Sequence, residues 1–374
     1  MPERVLITGG AGFIGSHVAD VLLAHGYEVR VLDSLEPQVH GATDRPPAYL
    51  SRDAEFIRGD VRDRAVLDRA LQGVSMVCHE AATVGVAQSM YEIQRYVHGN
   101  DCVTAALLQA IVDQRVKIKK LVVASSMSIY GEGRYKCPRC GLVAPHLRSE
   151  EQLQRQQWEV TCACGEIAAP VPTDEDKPPR LESVYAVGKK ATEELSLTVG
   201  RAYQIPTVAL RYFNTYGPRQ ALGNPYTGLL AIAAARAVNK KPMVIFEDGS
   251  QLRDFVYAGD VARANLAAME WEGRGALAVN VGTGRPVSVL EAAERVRSGL
   301  AAKPAPEIKA QYRCGDIRHC YADTSRAQRL IGFKAETSFE DGLPFFLDWA
   351  AEEGSIKDLV DQGISELCAK GLIK

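Results

Sequence analysis

Tyr185 and Lys189 are four residues apart in a segment, residues 184–199, whose apolar spacing predicts an amphipathic helix. Residues at positions i and i+4 lie on one face of a helix, so we expect the phenol and the ammonium group to be neighbours. A lysine cation beside a tyrosine stabilises the phenolate and lowers a pKa that is about 10 in an unperturbed tyrosine. The pair predicts a general base, although a half-buried tyrosine beside a solvated lysine has the same spacing.

Three glycines near the amino terminus have the spacing of a dinucleotide-binding turn. Gly9, Gly12 and Gly15 join an apolar run to a helix-like segment, which predicts strand, tight turn and helix. The amino terminus of such a helix offers free N–H groups to a pyrophosphate. A second apolar run, residues 28–32, ends at Asp33, where a carboxylate can accept hydrogen bonds from an adenosine ribose. The same carboxylate would repel a 2'-phosphate, which favours NAD over NADP.

The composition is that of an ordinary globular protein, with 46% hydrophobic and 24% charged residues among 374. A formal net charge of -2 gives no indication of a polyanion-binding surface, so we expect no nucleic-acid partner. We find neither a signal-peptide pattern nor an apolar run of about 18 residues, and we therefore expect a cytoplasmic protein with no membrane contact. In that compartment the nine cysteines indicate reduced thiols or metal ligands.

Strands alternate with helices through the first half of the chain. Strands are predicted at 54–58, 76–79 and 121–125, and helices at 64–71 and 91–113. This alternation predicts an α/β fold with a doubly wound parallel sheet of the Rossmann type, whose ligand lies at the carboxyl ends of the strands.

Two of these strand ends carry residues suited to a cofactor. Asp60 follows the strand at 54–58, where its carboxylate could meet an adenine amino group. Ala81 and Ala82 follow the strand at 76–79, and their small side chains would let the backbone press against a cofactor. Ordinary tight packing would explain the two alanines equally well.

Several motifs, taken together, resemble the extended short-chain dehydrogenase/reductase family and follow the order found there. They are TGGAGFIG at 8–15, GDV at 59–61, SSMSIYG at 125–131, YAVGK at 185–189, RYFNTYGPRQ at 211–220, RDFV at 253–256 and GDIRH at 315–319. Within that family the chain most resembles the NAD-dependent nucleotide-sugar epimerases. The segments ASSMSIYGEG, NPYTGLLAI and GDIRHCYAD are similar to those of the dTDP-L-rhamnose 4-epimerase group.

The resemblance implies a tightly bound NAD, a nucleotide-sugar substrate and a homodimer that uses the Tyr185 helix. It implies that Tyr185 is the base, that Lys189 binds the nicotinamide ribose, and that Ser126 forms a hydrogen bond with the reacting sugar oxygen. With the motifs above, the predicted cofactor-binding residues are Gly9, Gly12, Phe13, Ile14, Gly15, Asp33, Asp60, Val61, Ala81, Ala82, Ser125, Tyr185 and Lys189. The predicted substrate-binding residues are Ser126, Ser128, Asn214, Arg253 and Arg318.

The reaction that the resemblance implies is epimerisation at C4 of the sugar, through transient oxidation to a 4-keto sugar and reduction from the opposite face. Related dehydratases carry Asp-Glu directly after the catalytic hydroxyl residue, because eliminating water needs an acid and a base. Here those positions are Met127 and Ser128. The sequence therefore favours an epimerase, and dTDP-L-rhamnose is the expected type of substrate.

A cysteine-bearing insertion departs from the family pattern. Between Tyr130 and Tyr185 the chain has about twice the usual length, and the excess contains Cys137, Cys140, Cys162 and Cys164. Such spacing predicts a structural zinc ribbon with four thiolate ligands and no open coordination position, with His146 as a spare ligand. Idle thiols or a redox switch remain alternatives.

The predicted domain organisation follows from these motifs. Residues 1–132 and 170–223 form the NAD-binding domain with the catalytic residues, and residues 133–169 form the zinc-ribbon-like insertion. Residues 224–374 mainly bind the nucleotide sugar and are interleaved with the first domain.

Other functions remain open from sequence alone. A UDP-hexose 4-epimerase, a UDP-uronate epimerase or a UDP-uronate decarboxylase would use the same fold. A protein of another class, a non-catalytic dinucleotide-binding protein that uses the zinc ribbon for interactions, is less consistent with the presence of Ser126, Tyr185 and Lys189 together.

Overall fold

The computed structural model describes residues 2–115, 117–226, 228–354 and 356–374. In its first part, strands and helices alternate as the sequence predicts. The elements are β1 (Arg4–Thr8), α1 (Phe13–Ala24), β2 (Glu28–Asp33), α2 (Pro37–His40), β3 (Glu55–Arg58), α3 (Arg64–Ala70), β4 (Met76–His79), α4 (Val86–Ser89), α5 (Ile93–Val97), a π-helical turn (His98–Cys102), α6 (Val103–Asp113), β5 (Lys120–Ser126) and a 3-10 turn (Met127–Tyr130).

The insertion and the second half of the chain follow. Their elements are β6 (Arg134–Cys137), β7 (Gly141–Val143), α7 (Glu150–Gln154), β8 (Ala169–Val171), α8 (Val184–Tyr203), β9 (Thr207–Tyr212), β10 (Asn214–Tyr216), α9 (Leu229–Val238), β11 (Val244–Ile245), β12 (Leu252–Tyr257), α10 (Ala258–Glu270), β13 (Ala276–Val281), β14 (Pro286–Ser288), α11 (Val289–Gly299), β15 (Glu307–Ile308), β16 (His319–Cys320), α12 (Ser325–Ile331), α13 (Phe339–Glu352) and α14 (Val360–Ala369). Within the described ranges, no helix combines the length and apolar character needed to cross a bilayer.

Seven parallel strands form the central sheet, in the order β13-β9-β5-β4-β1-β2-β3. The strand order reverses between β1 and β4, so the loops that follow these two strands diverge and leave a crevice at their carboxyl ends. Helices α1 and α10 pack against each other, and α8 packs on α6 and on β5. The predicted doubly wound parallel sheet is confirmed.

Helix α8 positions the two residues with which the sequence analysis began. Its amino terminus is capped by Ser183, whose hydroxyl accepts a hydrogen bond of 3.1 Å from the N–H of Ala186. One face of the helix, at four-residue spacing, is buried against the sheet: Tyr185, Lys189, Glu193 and Leu197. The spacing therefore predicts correctly that Tyr185 and Lys189 share a face, and that face is turned inward.

The second half of the chain builds its own core and also completes the first sheet. Strands β10, β12, β14 and β16 form a small sheet, which packs with α9, α11 and α13. Residues 258–281 return to the central sheet, where α10 packs on α1 and β13 pairs with β9. The predicted boundary at residue 223 therefore does not separate the central sheet from the second half of the chain, because β13 lies beyond the boundary and belongs to that sheet.

The insertion forms a three-stranded antiparallel sheet in the order β7-β6-β8. Its core contains five buried residues, namely Tyr135, Cys137, Val160, Cys162 and Ala168. Arg134 pairs with Val171, so the chain enters and leaves the insertion side by side.

Candidate active site

A cavity of about 510 Å³ lies at the carboxyl ends of the central strands. Its lining brings together residues of β2, β5 and α8 with residues of the loops that follow β1, β3 and β4. They include every predicted cofactor-binding residue, which are Gly9, Gly12, Phe13, Ile14, Gly15, Asp33, Asp60, Val61, Ala81, Ala82, Ser125, Tyr185 and Lys189. Ser126 and Asn214, from the predicted substrate set, line it as well.

The glycine turn has no room for side chains. Gly9 has a φ of +70°, and a Cβ there would lie 2.7 Å from the backbone of Ala81. A Cβ at Gly15 would lie 2.3 Å from the carbonyl oxygen of Gly9. Helix α1 begins at Phe13 without a side-chain cap from Gly12, so its first N–H groups are available to a phosphate. This cradle fits the pyrophosphate of a dinucleotide.

The buried Asp33 carboxylate is held at the end of β2. Its two oxygens accept hydrogen bonds from the N–H groups of Ala11, at 3.0 Å, and Leu35, at 2.9 Å. Asp60 lies at the end of β3 and pairs with Arg62 at 2.5 Å, and this hydrogen-bonded partner lowers the pKa of the Asp60 carboxyl. Both carboxylates are therefore held in place at the cavity wall.

Burial dominates the electrostatics of the Tyr185 phenol. It raises the pKa of Tyr185 to about 12, and a hydrogen bond with Ser126 offsets part of this effect. The expectation of a lowered pKa is therefore wrong for the protein alone, because removal of the phenol from water dominates and raises the pKa. Burial also lowers the pKa of Lys189 to about 8, against the influence of the nearby Glu80 carboxyl. The Lys189 Nζ donates to the carbonyl of Ala124 at 3.0 Å.

Ser126 is held by the turn that follows β5. Its Oγ accepts a hydrogen bond of 3.1 Å from the N–H of Ser128, which caps the 3-10 turn. Ser126 thus has its hydroxyl fixed beside the Tyr185 phenol. Ser128 itself is absent from the cavity lining, and within the described part of the chain its buried Oγ has no hydrogen-bond partner.

Sequence reasoning did not find the acidic residue behind this face. Glu193 accepts a hydrogen bond of 2.7 Å from the Ser125 hydroxyl and pairs with Arg211 from β9. The signal was present, because Glu193 is four residues after Lys189 and so falls on the same helix face. Glu193 ties α8 to β5 and β9, and so it keeps Tyr185 and Lys189 in register with Ser126.

Two buried side-chain oxygens in the cavity wall have no hydrogen-bond partner among the described residues. They are Oδ1 of Asn214 and Oε1 of Gln220, and both residues line the cavity. A buried polar atom without a partner is costly unless a ligand or water satisfies it. The sequence predicted Asn214 as a substrate ligand, but it did not single out Gln220.

The two predicted substrate arginines lie outside the cavity lining. Arg253 donates to the carbonyls of Leu252, Ile317 and Arg318 at 2.8–2.9 Å. The fully buried Arg318 uses its guanidinium on three carboxylates, those of Glu159, Glu247 and Asp248. In this arrangement Arg318 has no guanidinium nitrogen left for a diphosphate.

The four predicted cysteine ligands meet in the insertion. The sulfur atoms of Cys137, Cys140, Cys162 and Cys164 all lie within 4.8 Å of one another, and those of Cys137 and Cys164 are 3.5 Å apart. Tetrahedral zinc with bonds of about 2.3 Å would space its sulfur ligands by about 3.8 Å, which this cluster fits. His146 is exposed and is not a member of the cluster.

The sequence profile of the NAD dependent epimerase/dehydratase family matches residues 5–147 and 159–282. The chain belongs to this family. The residues left unmatched between the two segments, 148–158, lie within the insertion.

Relatives with known names agree with the family. The dTDP-L-rhamnose 4-epimerase of Burkholderia thailandensis is 34% identical over 353 residues, covering 94% of this chain and 96% of that protein. The solved UDP-glucose 4-epimerase of Thermotoga maritima with UDP-glucose has a TM-score of 0.76 at 29% identity, covering 94% of this chain and 100% of that one. The Thermus thermophilus UDP-glucose 4-epimerase with NAD has a TM-score of 0.71 at 30% identity, covering 93% and 99%. The resemblance inferred from the motifs is confirmed.

Proposed function

We propose that this family member is an NAD-dependent nucleotide-sugar 4-epimerase. The observation that carries the proposal is that Tyr185, Lys189 and Ser126 line one cavity together with Gly9, Gly12 and Gly15. Two further features support it, namely the names of the relatives and the absence of Asp-Glu after Ser126. Met127 and Ser128 provide no carboxylate for eliminating water from the sugar.

The proposed mechanism uses the chain's residues in fixed roles. NAD, when bound, supplies a hydride acceptor and donor, and the positive charge of its oxidised ring favours the Tyr185 phenolate. Tyr185 takes the proton from the C4 hydroxyl of the sugar, and Ser126 donates a hydrogen bond to that oxygen. After the 4-keto sugar has rotated about its link to the diphosphate and has been reduced from the opposite face, Tyr185 returns the proton. Asn214 would hold the diphosphate through this rotation, and Arg253 would do so with its Nε–H and the second N–H of Nη2, which its three carbonyl contacts do not use.

A dTDP-6-deoxyhexose such as dTDP-L-rhamnose is the substrate we propose. The support is the Burkholderia thailandensis relative, which covers nearly the whole chain. UDP-glucose and UDP-glucuronate 4-epimerases are also among the relatives, each at 30% identity. UDP-hexoses and UDP-uronates are therefore the second candidate substrates.

The experiment that tests the function is an NMR assay of the purified protein without added reductant. The substrates are dTDP-L-rhamnose, UDP-glucose, UDP-galactose and UDP-glucuronate, and the cofactor released on denaturation is identified. A product inverted at C4, with NAD recovered, would support the proposal and select the substrate. Loss of carbon dioxide or water, or no turnover of any of the four, would contradict it.

A homodimer is the assembly that we propose. Helices α5 and α8 pack against each other and expose apolar side chains, namely Ile93 (53% exposed), Val97 (38%), Val187 (48%) and Leu195 (40%). Such an exposed apolar surface is typical of a protein contact. Sedimentation at micromolar concentration should give twice the chain mass, and a monomer would contradict the proposal. The cytoplasmic compartment stays a prediction.

We also propose that the four-cysteine cluster binds a structural zinc ion. Its support is the sulfur geometry, in which four thiolates converge and leave no position for substrate. Zinc measured by plasma mass spectrometry should equal about one ion per chain. Metal-free thiols in protein purified under reducing conditions with zinc present would contradict the proposal.

A further inference from the structure

A group of charges, buried except for the side chains of Glu159 (42% exposed) and Asp248 (40% exposed), joins the insertion to the second half of the chain. We call it the charge cluster, and it comprises Glu132, Arg148, Glu159, Glu247, Asp248 and Arg318. Arg318, Glu132 and Glu247 are no more than 1% exposed, and Arg148 is 7% exposed. Charges in such a place are tolerated when they are paired, and breaking one pair leaves its partner uncompensated. The cluster therefore favours one relative arrangement of the two parts.

The insertion contributes two of the six side chains. Glu159 accepts hydrogen bonds from Nε and Nη2 of Arg318, at 3.1 and 2.6 Å, and it contacts Nε2 of His319 at 3.2 Å. Arg148 donates two hydrogen bonds to Glu247, at 2.8 and 2.9 Å. Both contacts run between residues of the insertion and residues more than 90 positions later in the chain.

The segment that Glu159 holds is the same segment that binds Arg253. Arg253 donates to the carbonyls of Ile317, at 2.8 Å, and Arg318, at 2.9 Å. The N–H of Arg318 donates to Glu132 at 2.7 Å, so the backbone and the side chain of Arg318 are both fixed. The position of the Arg253 guanidinium thus depends on the segment 317–319, which Glu159 of the insertion holds together with Glu132, Glu247 and Asp248.

Glu159 is in turn held by the hairpin at residues 160–168, which carries Cys162 and Cys164. It is three residues before Cys162 and directly precedes this hairpin, which is closed by hydrogen bonds from the N–H of Ala168 to the carbonyl of Val160, at 2.9 Å, and from the N–H of Cys162 to the carbonyl of Glu166, at 2.8 Å. The insertion has only five buried core residues, which is too few to hold its conformation by apolar burial alone. A metal on the four sulfur atoms would supply the missing cross-link.

We propose that the metal-bound insertion is a positioning element for nucleotide-sugar binding. By holding Glu159 it fixes the segment 317–319, and that segment sets the place of Arg253, the proposed diphosphate ligand. Arg318, predicted from the sequence as a substrate ligand, is on this assignment a positioning residue. The inference rests on the zinc ion and on the diphosphate contact proposed above.

The test compares Glu159→Gln with Glu166→Gln in the full-length protein. Glu166 is an exposed residue of the same hairpin, so it controls for the loss of a charge near the cysteines. Calorimetry measures the Kd for dTDP and for UDP, which both carry the diphosphate, while bound NAD and zinc are quantified in each preparation. The four samples are wild type, the two variants, and wild type that has been depleted of zinc by a chelator under reducing conditions.

We expect Glu159→Gln to keep its zinc and NAD and to weaken nucleotide binding by about five- to tenfold. Zinc-depleted wild type should show the same loss with NAD retained, and Glu166→Gln should bind as wild type. In turnover assays the KM should rise while kcat stays within about twofold, because Tyr185 and Lys189 are not touched.

Three results would overturn the inference. Unchanged nucleotide affinity in Glu159→Gln would exclude the positioning role, even with zinc present. Unchanged nucleotide affinity after zinc removal would show that the metal does not contribute to the positioning role. Wild-type protein that binds neither dTDP nor UDP would refute the proposed function itself, and the inference with it, whatever the zinc content.

Discussion

Arg211 donates hydrogen bonds to both carboxylate oxygens of Glu193, at 2.9 and 2.8 Å, and both residues are buried. The pair joins β9 to the helix that carries Tyr185 and Lys189. Because Ser125 also donates to Glu193, one carboxylate fixes three elements that meet at the cavity. A bidentate pair of this kind gives geometric precision as well as energy.

Replacing Glu193 by Gln should reduce the free energy of unfolding by about 3–5 kcal/mol, because the buried Arg211 charge would lose its partner. Glu194→Gln is the matched control, since Glu194 is the next residue and its side chain is 53% exposed. The control should stay within about 0.5 kcal/mol of wild type. Urea unfolding at pH 7 measures both, and equal stabilities for the two variants would contradict the prediction.

The stability of the cofactor-free protein should depend on Lys189 at alkaline pH. Burial lowers the pKa of Lys189 to about 8, whereas an unfolded lysine has a pKa of about 10.4. Between these values the unfolded state binds more protons, so the free energy of unfolding should rise with pH by up to about 3 kcal/mol. Lys189→Met should lack this rise. Parallel stability curves for the two proteins between pH 8 and 10 would exclude a depressed pKa at this site.

Replacing Tyr185 by Phe should reduce kcat by about 10²–10⁴-fold, because the proton of the sugar hydroxyl loses its acceptor. The phenol is buried, and the phenyl ring keeps its packing, so NAD content and melting temperature should change little. Tyr203→Phe is a suitable control, because Tyr203 ends the same helix and is 56% exposed. Near-normal turnover in Tyr185→Phe would remove Tyr185 from the role of base.

Replacing Cys137 and Cys140 together by Ser should remove the zinc and lower the stability of the insertion, since two of four ligands are lost. Cys368→Ser is the control, because Cys368 is exposed and lies outside the cluster. Metal content by mass spectrometry and proteolysis of the insertion report the two effects. Unchanged zinc content in the double variant would show that the metal is held elsewhere.

Local sequence patterns predicted the elements that carry the site. The strand at 76–79 and the helix that begins at residue 184 lie where the apolar periodicity indicates, and the glycine spacing predicts the turn that fits a pyrophosphate. These features depend on neighbours within about ten residues, which is the range over which periodicity and turn chemistry act.

The rest depends on contacts between distant parts of the chain. The sequence suggested Arg318 as a substrate ligand, but its partner Glu159 is 159 positions away, and no local pattern reveals that pairing. The predicted direction of the Tyr185 pKa shift was wrong for a related reason. The spacing correctly placed Tyr185 and Lys189 on one helix face, but the burial that raises the pKa of Tyr185 comes from β5 and from the cavity walls, which are distant in the sequence.

The return of α10 and β13 to the central sheet has a consequence for synthesis on the ribosome. Helix α10 covers α1, and β13 flanks β9, so the hydrophobic core around Val18 and Leu22 closes only when residues 258–281 have left the exit tunnel. The first 223 residues emerge with that apolar face uncovered. The nascent chain should therefore need chaperone protection for most of its translation, and fragments that stop before residue 281 should aggregate when expressed alone.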